Sequence, residues 1–405
     1  MRILVIGAGV SALFFASFMD GGDITVIEKN EFAGRKLLAT GNGRCNFTNL
    51  NQGKEFFKSD NPNFVDYAIN TFDSNKLIDY FNEIGIATTN LPSGRCYPLT
   101  MSSKTVRDSL FLKAKENAEF VFNQEVIAID FDKKQVKTKD KSYTYDKLVI
   151  STGGKTLKNS GSDGKIFDLI KDRVKVTPMT YGITNFETKE KFSKKAKGTK
   201  ITGKASLLAD GKYIKSSVDD IIFQNYGLTG TAILDISNEL SISLKNNSKI
   251  QIEIDFFPGS TKEEFTIYLR NIAKKFPART IKEILIGIIN EKLIDDILKV
   301  ARVSPDKKAN NLNDKDFEIL SKTLKSLRFN ITDIHDRVNA QVTIGGVDTR
   351  YIDPKTMADE KYRDVFFIGE CLDVAGDCGG YNIWWAAASA FVSSKFLRSL
   401  NVKNK

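Results

Sequence analysis

The residues whose types and spacing point most directly to chemistry stand near the start of the chain. Gly7-Ala8-Gly9-Val10-Ser11-Ala12 is a GxGxxA run between an apolar stretch, Arg2 to Ile6 (RILVI), and a segment whose Ala12, Phe15, Ala16 and Met19 recur at helical spacing. Gly7 permits a tight turn, Gly9 lets a pyrophosphate approach the backbone, and Ala12 is small enough for helix to pack on strand. The amides that open the helix add donors and a positive dipole end. The next apolar run, Ile24 to Glu28 (ITVIE), reads as a second strand. Glu28, 21 residues after Gly7, can accept hydrogen bonds from a ribose diol. A strand, this turn, a helix and a strand ending in an acid predict a dinucleotide site.

Three other segments carry residues suited to the same ligand. Ala33 to Asn49 (AGRKLLATGNGRCNFTN) holds too many Gly, Asn and Thr residues for a plain helix. Arg35 and Lys36 bring positive charge, and Gly41 and Gly43 expose backbone amides. Lys137 to Thr152 reads as strand, turn and strand and ends in Ser151-Thr152-Gly153-Gly154, a glycine pair suited to close backbone approach. Far along the chain, the apolar run Val365 to Gly369 leads into Glu370-Cys371-Leu372-Asp373 and then Cys378-Gly379-Gly380-Tyr381-Asn382, which opens a long apolar helix. Glu370 and Asp373 can reach a polyol or a ribose. No second GxGxxG with its own βαβ unit is present, so the chain is expected to hold one dinucleotide without a separate nicotinamide domain.

Composition removes other chemistries. The chain has 405 residues, four cysteines and one histidine. Without CxxC spacing, neither a zinc ribbon nor a dithiol redox pair is expected. A lone His335, in DIHDRVN at a loop edge, cannot form a His-rich metal site and reads as structural or exposed. No GxSxG nucleophile elbow occurs. No apolar run is long enough to span a membrane, and the glycine-broken N-terminus does not read as a signal peptide, so a cytoplasmic location is expected. The net charge of +10 favours anionic partners: a phosphorylated cofactor, an acidic substrate or nucleic acid.

These motifs must be positioned by more than one domain. A first dinucleotide-binding part is expected over residues 1–155. Between 156 and 260 the texture turns to short alternating runs, with hairpins expected at Asp210-Gly211 and Asn246-Asn247. These predict a small antiparallel β domain or barrel. Residues 261–330 switch to helical periodicity in three runs, EEFTIYLRNIAKKF, IKEILIGIINEKLIDDILKV and DKDFEILSKTLKSL, expected as an inserted helical cap. Residues 331–405 return to the first domain, ending in NVKNK, read as a frayed basic tail.

GAGVSA with Glu28, GRKLLATGNGRCNFTN, STGG, QVTIGGVDTRYIDPKTM and FFIGECLDVAGDCGGYNIWWAAASA together resemble the BaiN/YhiN family of aminoacetone-oxidase-like FAD-dependent oxidoreductases. The resemblance implies an α/β protein: a Rossmann-like, glutathione-reductase-like FAD-binding domain with an inserted β-barrel and a helical cap. It implies tightly bound FAD, with Gly7, Gly9, Val10 and Ser11 at the pyrophosphate and Glu28 with Lys29 at the adenosine ribose. Arg35, Lys36 and the stretch Thr40, Gly41, Asn42, Gly43, Arg44 and Asn46 would line phosphates and flavin, and Val126 would set its backbone against adenine. Thr152, Gly153 and Gly154 would approach the cofactor. Gly369, Glu370 and Asp373 would lie near the ribityl chain, and Gly380, Tyr381 and Asn382 near the flavin pyrimidine edge. Two segments depart from the family pattern. The stretch after STGG is compressed to KTLKNSGSDGKIF, and Gln224-Asn225 stands where an FTHYGLSG-like motif carries Thr-His.

The expected activity is hydride transfer through FAD on a small organic substrate, with NAD(P)H as transient donor. No acid or base stands out, although Arg95 could bind an anionic group and Tyr97 or Tyr381 relay a proton. Alternatives are an amine or aminoketone oxidase using oxygen, a redox-inactive scaffold, or a nucleic-acid-associated flavoprotein. The last is motivated by Lys189 to Lys215, where nine lysines face two acids. Only Phe192 and Tyr213 are aromatic there, which is poor for base stacking.

Overall fold

A computed structural model describes residues 1–402 and divides the chain into two units, Met1–Gly182 with Val338–Lys405, and Ile183–Arg337. The frayed end expected of NVKNK concerns residues 403–405, which lie outside the described residues.

In the first unit, β1 (Arg2–Ile6), β2 (Asp23–Ile27), β3 (Glu119–Val121), β4 (Lys147–Ile150) and β5 (Val365–Phe367) form one parallel sheet in the order β5-β4-β1-β2-β3. Parallel strands are covered on both faces, so Ile3 to Ile6 and Leu148 to Ile150 are continuous apolar runs and are buried throughout. Helix α1 (Val10–Phe18) is buried from Ser11 to its end and packs against α2 (Tyr381–Val402). The seam is aromatic: Phe18 meets Phe391 edge-on at 5.3 Å and Phe72 stacks on Phe391 at 4.6 Å. The buried indoles are satisfied, Trp384 Nε1 donating to Phe72 O at 2.8 Å and Trp385 Nε1 to Gly369 O at 3.1 Å. Since β4 and β5 pair directly, the sheet is completed only by chain that returns after the second unit. Being parallel, β1, β2, β4 and β5 bring their C-terminal ends to one edge, where ligands of such sheets bind.

In the second unit, Asn185–Thr188, Gly227–Thr229, Lys212–Phe223, Lys200–Ala209, Ile250–Asp255 and Leu327–His335 pair in that order and close into an antiparallel barrel. Its filling alternates along three of the strands: Ala205, Leu207 and Ala209, then Ile250, Ile252 and Ile254, then Leu327, Phe329 and Ile331. The pairing of Thr180–Gly182 with Val342–Ile344 belongs to the first unit.

Several expected boundaries move. The helices Lys262–Lys275, Ile281–Leu285, Glu291–Ala301 and Asp314–Lys325 sit between the fifth and sixth barrel strands in sequence, so the barrel extends beyond 156–260 to His335. Residues 156–182 stay with the first unit, and the return begins at Val338 rather than 331. The last strand, LRFNITDIH, alternates cleanly but follows a helix without a break in composition, which hides it. The hairpin at Asn246-Asn247 is not formed, because Ser237–Lys245 is a helix that buries Ser237, Asn238, Leu240 and Ser241 on one side. Four alternating residues were too few to separate period 2 from period 3.6. The three helical runs are four helices: the second run breaks at 286–290, where Asn290 caps the next helix by accepting from Lys292 N. Capping boxes at Thr261/Glu264, Thr280/Glu283 and Asn313/Asp316 fix three of the starts. His335 ends its strand half-buried, with Nδ1 3.1 Å from Glu187 and its ring stacked on Tyr226.

Candidate cofactor site

The edge where β1, β2, β4 and β5 end gathers most of the expected residues of the first unit. Gly7 takes φ 90°, and a Cβ there would lie 2.9 Å from Ser151 O, so the β1 turn is locked against the end of β4. At Gly9 a Cβ would meet only Ser151 O at 3.7 Å, which leaves the space over its backbone open to a ligand. No side chain caps α1, so the amides of its first turn at Val10 and Ser11 keep their donors for an anion. Ser11 itself is buried and turns toward Gly369: a Cβ on Gly369 would come within 1.9 Å of its Oγ.

Glu28 is buried and braced rather than loose. Its Oε2 accepts from Ala8 N at 2.7 Å, and its Oε1 accepts from Asn30 N at 2.9 Å and Asn30 Nδ2 at 2.5 Å. The carboxylate is thereby pinned beside the glycine turn, with lone pairs remaining for a diol. Arg35 donates to Asn30 Oδ1 at 2.9 Å, and Lys29 pairs with Asp163 at 2.9 Å. Val126 opens the strand Val126–Asp130, tied to the site through Gln124 N donating to Glu28 O.

Lys36, expected near a phosphate, is held by an acid of the chain itself. Its Nζ binds both oxygens of Glu370, at 2.7 and 2.6 Å, and Thr156 Oγ1 at 2.9 Å. Glu370 Oε1 also accepts from Thr343 N at 2.9 Å and Thr156 Oγ1 at 3.2 Å. Thr156, Ser162 and Thr343 are thus site residues that the sequence did not single out, since isolated hydroxyls near glycines carry no spacing signal. Gly153 and Gly154 lie against this knot. A Cβ on Gly153 would be 2.9 Å from Ser162 Oγ, and one on Gly154 2.2 Å from Thr343 Oγ1. Among the described residues, the hydroxyl oxygens of Thr152 and Ser162 are buried without a hydrogen-bond partner, which leaves two donors in want of an acceptor.

Lys36–Gly43 winds in short 3-10 turns broken at Thr40 to Asn42, where Gly41 and Asn42 take φ 55° and 57°. Thr40 Oγ1 donates to Leu37 O, and Asn46 Nδ2 holds Thr48 O and Cys96 O at 3.0 and 2.9 Å. Gly43 is open on its Cβ side, whereas Gly380 is not: a Cβ there would lie 2.6 Å from Thr48 O. Asn382 clamps its own turn by exchanging two 2.8 Å hydrogen bonds with Gly376. Tyr381 donates its hydroxyl to Asn51 O at 2.9 Å, so it acts as a strut and its proton is not free for relay.

Asp373 stands apart from the Glu370 knot: its carboxylate accepts from Asp60 N at 3.1 Å and its own amide donates to Val347 O. Burial, reinforced by the charges of Asp60 and Asp348, pushes its pKa up to about 6. An acid whose folded pKa exceeds its unfolded value binds more protons when folded, so stability falls as pH rises from about 4 to about 6 and stays lowered above. Asp373→Asn is therefore expected to stabilise the protein at pH 7–8 by on the order of 1–2 kcal/mol. It should also flatten the slope of urea midpoint against pH between about 4 and about 6; an unchanged slope there would assign it to other groups.

Three of the four cysteines are held as thiols. Burial pushes the Cys45 and Cys371 thiols up to about 12 and that of Cys96 up to about 11. No disulfide is formed and no metal-binding cluster of His, Cys, Asp or Glu occurs among the described residues. None of the described helices is long and apolar enough to cross a membrane.

Residues 1–396 match the model of the HI0933-like protein Rossmann domain. The 3-dehydro-bile acid delta(4,6)-reductase of Clostridium scindens is 26% identical over 403 residues, covering 97% of this chain and 98% of that protein. The ribosomal RNA dihydrouridine synthase of Escherichia coli is 28% identical over 402 residues, covering 97% of each. Among solved structures, the 3-ketosteroid delta1-dehydrogenase of Sterolibacterium denitrificans aligns over 98% of this chain and 99% of its own, at 10% identity and a TM-score of 0.48. The chain belongs to the HI0933-like Rossmann family.

Proposed function

We propose that this protein, an FAD-dependent oxidoreductase, reduces a carbon–carbon double bond conjugated to a carbonyl in a small organic substrate, with NAD(P)H as the electron donor. What supports the reading is the joint edge of β1, β2, β4 and β5, which gathers an uncapped helix start, a pinned Glu28 and two hydroxyls with no partner among the described residues, as a dinucleotide would require. The activities of two relatives suggest the reaction class: a 3-keto acid with 4,6 double bonds is a conjugated dienone, and dihydrouridine is uridine reduced at the bond conjugated to a carbonyl. Such a reduction adds a hydride at the carbon β to the carbonyl and a proton at the α carbon, while NAD(P)H becomes NAD(P)+.

When bound, FAD supplies a two-electron store between donor and substrate. The chain's own part is binding and orientation. Val10 and Ser11 amides would hold the pyrophosphate, Glu28 the adenosine ribose, and Thr152, Ser162 and Glu370 the ribityl hydroxyls. The backbone of Gly380 to Asn382, at the start of α2, would meet the flavin edge on which negative charge develops. Burial keeps the Cys45, Cys96 and Cys371 thiols protonated, and no disulfide pairs any two cysteines among the described residues.

The purified protein is expected to show an oxidised flavin spectrum that bleaches on anaerobic addition of NADH or NADPH and returns when a cyclic enone is added. A spectrum that stays oxidised with both nucleotides but bleaches with an amine would replace this reading by an amine oxidase. A protein that binds no FAD on reconstitution would end it.

A second reading keeps the chemistry and changes the substrate to uracil in RNA. Lys189, Lys191, Lys194, Lys195, Lys197 and Lys200 are exposed around one connection of the second unit, as a phosphate-tracking surface would require. A structured RNA whose affinity falls steeply with salt would favour it, and affinity without salt dependence would remove it.

A further inference from the structure

We infer that residues 155–164 form a strap over the cofactor, and that the ion pair Lys29–Asp163 is the catch that opens before FAD enters or leaves. The inference rests on the cofactor placement proposed above and not on the enone substrate. In the sheet order β5-β4-β1-β2-β3, β1 lies between β4 and β2. The chain leaves β4 at Ile150, passes against the glycine turn, where a Cβ on Gly7 would lie 3.0 Å from Thr152 Cα, and is then fastened to residues that follow β2. A segment that starts at β4 and is tied down beyond β2 crosses the end of β1, over the proposed pyrophosphate site.

The strap is a small loop with its ends together. At its neck a Cβ on Gly164 would lie 3.0 Å from Lys155 Cγ, and one on Gly153 2.9 Å from Ser162 Oγ. Beyond the neck it bears on the residues after Glu28: a Cβ on Gly161 would lie 2.5 Å from Asn30 Nδ2 and 3.3 Å from Lys29 Cε. Asn30 is the residue that braces the Glu28 carboxylate. Lys158 and Asn159 are exposed, whereas Thr156 and Ser162 are buried, so the strap turns hydroxyls inward and charge outward.

Charge is what holds it down. Lys158 to Gly164 (KNSGSDG) carries no apolar side chain, so burial of hydrocarbon adds nothing there. Asp163 Oδ2 lies 2.9 Å from Lys29 Nζ, with the two side chains 23% and 27% exposed. The neighbouring pair, Lys165 with Glu125 at 2.6 Å, has its lysine 67% exposed and is weakened by water. Burial raises the pKa of Asp163, but hydrogen bonds from Lys29 and from Lys165 N hold it below the ordinary carboxyl value, so the catch is charged at neutral pH. Leu157 and Gly164, at the two ends, take φ 53° and 79°. A leucine is left-handed only at a cost, which a swing of the strap relieves. A loop without an apolar anchor opens at a fraction of the cost of global unfolding, and here the main cost is parting Lys29 from Asp163.

The test is the rate at which the FAD-loaded protein exchanges its cofactor for isotope-labelled FAD in excess, read by mass spectrometry after gel filtration. Entry is read separately, as FAD rebinding to the same protein stripped of flavin. Asp163→Asn and Lys29→Met are each expected to speed exchange about tenfold and entry at least about threefold, and the double variant to be no faster than the faster single one. Lys29→Arg keeps the charge and should exchange within about threefold of the wild type, which separates loss of the catch from a general loss of folding. Salt should speed exchange more in the wild type than in either neutral variant. Faster exit at an unchanged entry rate would overturn the proposal, because the pair would then bind the cofactor rather than gate it. Additive effects of the two substitutions, or an exchange rate that neither alters, would overturn it as well. No turnover is read, so a protein gated in this way that reduces no enone removes the reductase reading alone, and a protein that binds no FAD removes both.

Discussion

Gly380→Ala is expected to destabilise the first unit by about 3–5 kcal/mol, while Gly43→Ala costs only about 1 kcal/mol. Both glycines have positive φ, 100° and 80°, so each substitution bears the strain of a left-handed backbone. They differ in what a Cβ would meet. At Gly43 nothing lies within 4 Å, whereas at Gly380 the O, C and N of Thr48 lie at 2.6, 2.7 and 2.7 Å. Those are backbone atoms and cannot swing away. Thr48 is held by its strand pairing to Cys96, by Ser74 Oγ at 3.0 Å from its hydroxyl, and by Asn46 Nδ2 on its carbonyl. Moving Gly380 instead shifts the start of α2, where Trp384 N donates to Gly380 O and the Trp384 indole is buried. Urea unfolding followed by tryptophan fluorescence reads the difference, since both tryptophans lie on α2. Retained FAD content in Gly43→Ala beside depleted FAD in Gly380→Ala would place the turn at the cofactor. Equal midpoints for the two variants would mean that the approach of Thr48 is not the constraint drawn here.

What the sequence made legible was what the chain settles locally. The run from Arg2 to Glu28 reads directly because strand, glycine turn, helix and strand are neighbours, and each residue type answers to the turn it occupies. The Asp210-Gly211 hairpin reads for the same reason: the strands on either side pair from Lys200 with Ile222 to Ala209 with Lys212. Contacts across long separations were not readable. Nothing near Lys36 indicates that its partner is Glu370, 334 residues away, so positive charge beside a glycine turn pointed to phosphate. The same holds for Thr343, whose amide and hydroxyl both serve the Glu370 knot, and for the strain at Gly380, visible only when Thr48 is beside it. The barrel's sixth strand failed differently. Its alternation was present in LRFNITDIH, but strand identity depends on the neighbour it pairs with, and that neighbour precedes four intervening helices.

Removing Glu370 should have the second large effect, because it breaks a pair that several elements share. Glu370 and Lys36 are 18% and 23% exposed at their side chains, so truncating one leaves a poorly hydrated charge on the other. Breaking a fully buried pair costs about 3–5 kcal/mol; with this residual exposure Glu370→Ala is expected to cost about 2–3 kcal/mol. The first unit's melting temperature should fall by about 5–10 °C. Part of that loss is not electrostatic. Thr343 N and Thr156 Oγ1 also lose their acceptor, and a stranded buried donor carries its own penalty of about 1–3 kcal/mol. Glu370→Gln separates the two contributions, since its carbonyl can still accept from Thr343 N while the charge is gone, and about half the loss should return. In a double-mutant cycle with Lys36→Met, the ion pair should contribute a coupling of about 1–2 kcal/mol. Additive single and double variants would show that the lysine is solvated and the knot is held by its neutral hydrogen bonds. If Glu370 also meets the ribityl chain, as proposed, Glu370→Ala should weaken FAD at least about tenfold while Lys36→Met weakens it less, a split that a purely structural ion pair would not produce.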